Sequence, residues 1–140
     1  ITFIGHIRNS PEEELIKDYI NRFDRIGNII GLGPIKVIEK EDKKNKGILA
    51  EGQLLMDSIP SGSIICTLDE KISFWRDNGN QAVTLIIGGA SGLSKGVKEK
   101  ADLSISLGKM VWPHRLVRVM LAEQLYRAAS IISRSPYHKA

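Results

Sequence analysis

Cysteine is nearly absent from this chain: Cys66 is the only one among 140 residues. A disulfide within the chain is therefore excluded, and a reducing cytoplasm is the expected compartment. Inside the apolar run Ile64 to Leu68, Cys66 reads as a small buried hydrophobe. Long hydrophobic runs are missing as well. No segment approaches the roughly 20 apolar residues of a membrane span. The N-terminus lacks a charged-then-apolar signal pattern, so a soluble protein that is not exported is expected, with no membrane partner. His6, His114 and His138 lie far apart and, with one cysteine, make no metal-ligand pattern, so no metal is expected. Phosphate and hydrolase motifs are missing too. No G-K-[ST] follows a glycine cluster, and neither G-x-G-x-x-G nor G-x-S-x-G occurs. Nucleotide triphosphate, Rossmann-type dinucleotide and serine-hydrolase chemistry are left without support.

What is present fits one domain over residues 1–140. A chain of 140 residues can bury roughly two-thirds of its unfolded surface, and 42% hydrophobic with 26% charged residues is an ordinary globular balance. The net charge of +4 permits a polyanionic partner without requiring one. Its distribution says more. Lys36, Lys40, Lys43, Lys44 and Lys46 alternate with Glu39, Glu41 and Asp42, as in a solvated loop. By contrast, Arg115, Arg118, Arg127, Arg134, His138 and Lys139 are opposed only by Glu123, which makes the C-terminal tail the better phosphate contact.

Strand and helix signals alternate along the chain. Strands are expected at Ile1 to Ile4, Ile35 to Ile38, Ile64 to Leu68, from Val83, and at Leu103 to Leu107. Ser10, Pro11 and the acids Glu12 to Glu14 give a cap, a first-turn proline and charges suited to a helix start, so a helix is expected to about Phe23. Further helices are expected over Ile48 to Ser58, over Lys95 to Lys100 capped by Ser94, and over His114 to Ile132. The apolar positions of the last helix exceed one stripe, which suggests a subunit interface. The alternation predicts an α/β fold, a parallel sheet with helices on both faces. Between Leu68 and Val83 lie only 14 residues, barely enough for a parallel crossover. Residues are therefore expected to be missing between Lys71 and Ile72, and the lack of a Met before Ile1 points the same way.

The most informative stretch is VTLIIGGASG, Val83 to Gly92. A β-branched run ending in Gly88, Gly89 and Gly92 is a buried strand entering a turn where backbone is approached closely. Ligands of parallel sheets bind beyond the carboxyl ends of strands, and a second glycine loop, Gly108 to Pro113, follows another strand. Turn glycines alone explain the first loop equally well; the second tips the balance toward one pocket, with Gly88 held open at positive φ. Ser91 reads as a loop hydroxyl, Asp69 as a turn opener and His114 as a cap. Glu123 is spaced to pair with Arg127 at i, i+4.

With those residues in view, the chain resembles the bacterial ribosomal RNA large subunit methyltransferase H family, small SPOUT methyltransferases. The likeness runs through LLMDSIPSGSIICTLDEK, VTLIIGGASGLS, SLGKMVWPHRLVRVMLAEQLYRA and the terminal SPYHK. It implies a SPOUT-type α/β fold with a C-terminal trefoil knot, a homodimer, S-adenosylmethionine as methyl donor, and methylation at N3 of a pseudouridine in 23S ribosomal RNA, on the assembled ribosome. Carried over by position, the cofactor contacts would be Leu68, Gly88, Leu107, Gly108, Lys109, Met110, Val111 and Trp112. The tail residues Arg134, Tyr137 and His138 combine a phosphate-pairing cation, a stacking ring and a group titrating near neutrality, so they are the candidate catalytic set. The competing expectations are a non-catalytic ribosome-binding or assembly protein on the same fold, and an unrelated flavodoxin-like nucleotide-binding enzyme.

Overall fold

The computed structural model describes residues 1–67, 82–89, 91–104 and 112–137. Their strands are β1 (Thr2–Ile4), β2 (Ile38–Lys40), β3 (Ile64–Thr67), β4 (Val83–Ile87) and β5 (Leu103–Ser104). Their helices are α1 (Pro11–Gly27), α2 (Ile48–Met56), α3 (Lys95–Lys100) and α4 (His114–Ile132). They fall into two compact units, one holding the five strands with α2 and α3, the other α1, α4 and the segment after α4.

In the sheet unit the strand order is β2-β1-β4-β3-β5 and every pairing is parallel. The alternating pattern of the sequence is thereby realised, and all carboxyl ends share one edge. β4 is central: Thr84, Leu85, Ile86 and Ile87 are all buried, as a strand paired on both sides requires. Ile86 packs with Ile4, Leu55 and Val97 into the core of this unit, joining β1 and β4 to α2 and α3.

Two expectations are corrected here. The second strand begins three residues later than its apolar run suggests. Ile35 gives its N–H to the Asp24 carboxylate at 2.9 Å, whereas Ile38 donates to Ile1 at 2.8 Å and opens the ladder. As an edge strand β2 is paired on one side only, so Glu39 and Lys40 are tolerated in it. Ser94 does precede α3, but its side chain makes no capping hydrogen bond. It is buried against α2 instead, where a Cβ on Gly52 would lie 2.2 Å from its Oγ.

In the helical unit α1 starts as its sequence dictates. Ser10 accepts from the Glu13 N–H, and the Glu13 carboxylate reaches back to the Asn9 N–H at 2.7 Å. The hydrogen bond from Lys17, and then that from the Asn9 N–H, hold the Glu13 carboxyl below the usual carboxylate range. The helix runs one turn past the expected end and stops at Gly27, whose carbonyl takes the Leu32 N–H at 2.9 Å. α4 has the expected bounds. Its Val119 and Ala122 pack with Ile16 of α1 and with Ile7, which precedes that helix, and Ala122 and Ala129, both fully buried, let backbones approach.

Candidate functional site

The glycine turn sits at the carboxyl end of β4, as the sequence indicates, but Gly88 is not in the left-handed region. The requirement there is space. A Cβ on Gly88 would stand 2.7 Å from the Gly92 carbonyl and 3.0 Å from the Leu93 nitrogen, because the turn folds back on its own strand end. Gly92 carries the positive φ, 79°, and donates its N–H to the Gly89 carbonyl at 2.9 Å. Beneath the turn lies Glu51, from the first turns of α2. A Cβ on the buried Gly89 would meet Glu51 Oε2 at 2.9 Å and Oε1 at 3.2 Å. Oε2 is shielded from solvent and, among the described residues, has no hydrogen-bond partner.

The tail is organised differently. α4 ends in a Schellman motif: Ser135 donates to the Ser130 carbonyl at 2.8 Å and Arg134 to that of Ile131 at 3.1 Å. Glycine is usual at the left-handed position of this motif, yet Arg134 occupies it at φ 56° with its side chain exposed. Three residues on, Tyr137 is docked. Its hydroxyl donates to Glu123 Oε1 at 3.2 Å, its ring centre lies 4.4 Å from that of Tyr126, and the Arg127 guanidinium stands 5.5 Å from it. Glu123 also binds Arg127 at 2.5 Å, the i, i+4 pair expected from spacing, and accepts from Gln124 at 2.6 Å. Burial first, then the bond to Glu123 and its charge, push the Tyr137 hydroxyl up to about 12. Tyr137 is thus packed against α4, with its hydroxyl tied to Glu123.

Trp112 is half-buried just ahead of α4, and His114 is the exposed first residue of the helix, the N-cap position falling on Pro113. Leu68, Leu107, Gly108, Lys109, Met110, Val111 and His138 lie outside the described residues, as does Asp69. Arg118, counted above among the cations available to phosphates, is buried. Leu121, only 3% exposed, belongs to the chain's own core, while Leu116 and Ile131 of the same helix are 40% and 50% exposed. Among the described residues no group of side chains has a metal-binding arrangement, and no helix is long and apolar enough to cross a membrane. Sequence reasoning missed Glu51 and gave Glu123 only one of its partners. An acid in the first turns of a helix reads as a dipole complement, and nothing local signals that the fold brings it to a distant turn.

The methyl donor that the resemblance implies is an adenosyl sulfonium with no phosphate. The turn fits such a group: close-packed backbone and an orphaned carboxylate oxygen suit a cation-bearing ligand, where a phosphate would require donors.

Comparison with known proteins follows the same line. Residues 1–138 match the family described as "Predicted SPOUT methyltransferase". Ribosomal RNA large subunit methyltransferase H of Ruegeria pomeroyi is 52% identical over 151 aligned positions, covering 99% of this chain and 97% of that protein. The proteins of the same name from Roseobacter denitrificans and Dinoroseobacter shibae are 49% and 47% identical, covering 99% and 97% of this chain and 97% and 95% of their own lengths.

Proposed function

Because the chain belongs to the SPOUT methyltransferase family, we propose that this methyltransferase uses S-adenosylmethionine to methylate N3 of a pseudouridine in 23S ribosomal RNA on the ribosome. The relatives' names supply the RNA class. The observation that carries the donor is the self-packed glycine turn at the carboxyl end of a central parallel strand, with a carboxylate beneath it.

When bound, the donor supplies a methyl group on a positively charged sulfur. The chain's residues must then hold the acceptor in line and take up the proton that its nitrogen sheds. Gly88, Leu68, Trp112 and the loop Leu107 to Val111 are the proposed donor contacts. Arg134, exposed beyond α4, pairs an RNA phosphate. Tyr137 holds the tail to α4, and His138, the next residue, is the proposed proton acceptor. The reading carries the C-terminal knot and a homodimer in the cytoplasm. Leu116 and Ile131, large apolar residues exposed near the two ends of α4, support the dimer.

An aligned stretch of 151 positions against 140 residues supports the proposal that the sequence lacks residues between Lys71 and Ile72. An intact mass of 15.5 kDa would refute that proposal. The function itself is tested by mapping modified nucleotides in ribosomal RNA from a strain lacking the gene. Loss of one methylated pseudouridine, restored by the gene, is expected; an unchanged map overturns the reading.

A further inference from the structure

We propose that Glu51 is the anionic contact of the methyl-donor site, accepting a hydrogen bond from the α-ammonium group of S-adenosylmethionine. The inference rests on the reading of the glycine turn as the donor site. Glu51 lies on α2, is half-buried, and presses one carboxylate oxygen against the turn from below. That oxygen is hidden from water and has no hydrogen-bond partner among the described residues. Withdrawing a carboxylate oxygen from solvent without a donor is costly, so folding alone does not account for it. The cost is recovered when a bound molecule brings an N–H to the group.

The chemistry of the donor narrows which N–H this is. Its sulfonium is cationic but has no hydrogen to give, and its carboxylate would be repelled. The α-ammonium is cationic and has three hydrogens, so it alone offers a charge-assisted bond. Pairing it with Glu51 also fixes the direction of the amino-acid arm. Gly89 belongs to the same device, since a methyl group there would stand 2.9 Å from Oε2 and push the carboxylate away.

The test is titration calorimetry of the whole protein with two ligands. S-adenosylmethionine carries the ammonium; 5′-methylthioadenosine keeps the adenosine and the sulfur but lacks the amino-acid arm. Glu51→Gln is expected to weaken S-adenosylmethionine at least ~10-fold, as loss of a charged hydrogen bond implies. Affinity for 5′-methylthioadenosine should remain within about twofold, with an unchanged melting curve. Glu51→Ala should behave alike; should it fail to fold, the near-isosteric Gln variant decides. Equal losses for both ligands overturn the proposal, because they mean that Glu51 merely supports the turn. Unchanged affinity for S-adenosylmethionine also overturns it. A wild-type protein that binds neither ligand instead overturns the donor-site reading on which the proposal stands.

Discussion

Two carboxylates of this chain sit beside the segments most concerned with its chemistry, and they are treated in opposite ways. In the helical unit Glu123 is saturated, taking hydrogen bonds from Arg127, Gln124 and Tyr137. In the sheet unit Glu51 is pressed against a glycine turn with one buried oxygen unpaired. A saturated acid is scaffold, since its bonds are spent on holding the fold. An orphaned one is costly until something else completes it. The contrast separates an acid whose bonds are all spent within the fold from one that keeps a bond in reserve beside the proposed donor site.

The largest expected effect is on the turn. Gly88→Val forces a branched side chain into backbone 2.7 Å away, an overpacking that costs ~1–3 kcal/mol or more. S-adenosylmethionine binding should vanish by calorimetry; retained affinity in a folded variant would place the donor elsewhere. On the other side of the comparison, deleting His138 to Ala140 while keeping the Tyr137 anchor should leave cofactor affinity intact. Methyl transfer to ribosomes should drop at least ~10-fold, as when a proton-transfer group is lost, and full activity would make the tail a bystander. Replacing both Leu116 and Ile131 by Glu should shift sedimentation from dimer to monomer with little loss of stability, because both are exposed in the chain itself. Sedimentation of the unmodified protein as a monomer at micromolar concentration would remove that claim.

A smaller effect concerns Arg134, which holds a backbone conformation that suits glycine. Arg134→Gly should relieve strain and raise stability by about 1 kcal/mol in thermal or denaturant unfolding, yet lower transfer to RNA. Loss of stability would show that the guanidinium supports the fold. The smallest effect is a pH dependence. Tyr137 titrates near 12 in the folded chain but near 10 when unfolded. Its contribution is complete below pH ~10 and is lost as pH rises toward about 12, because only the unfolded state ionises in that window. Tyr137→Phe should flatten that part of the stability–pH curve; an equally steep loss in the variant would show that other groups cause it.

How legible this was in the sequence depends on the range of the interaction. The start of α1 and both bounds of α4 were readable because their signals are local: a Ser-Pro cap with acids behind it, and a proline before a long apolar helix. The parallel sheet followed from alternation. β2 was misplaced because strand bounds are set by the partner, and its ladder begins where Ile1 offers a carbonyl. At Gly88 the expected close approach of backbone is found and the expected positive φ is not, since a sequence shows that a side chain is absent without showing which backbone takes the space. Glu51 was invisible, for it lies 38 positions before Gly89 and only the packing of α2 against the sheet unites them. Tyr137 looked like a free functional group because its partners, Tyr126 and Glu123, lie three and four helical turns back.

The docking of Tyr137 also fixes a point of departure. Its hydroxyl on Glu123 and its ring against Tyr126 pin residue 137 to α4, so the chain leaves the helix from one defined place. A group attached at a fixed point has a high effective concentration near that point and a low one far from it. Loosening the pin would therefore dilute whatever the chain presents beyond it, without altering a single group that does the presenting.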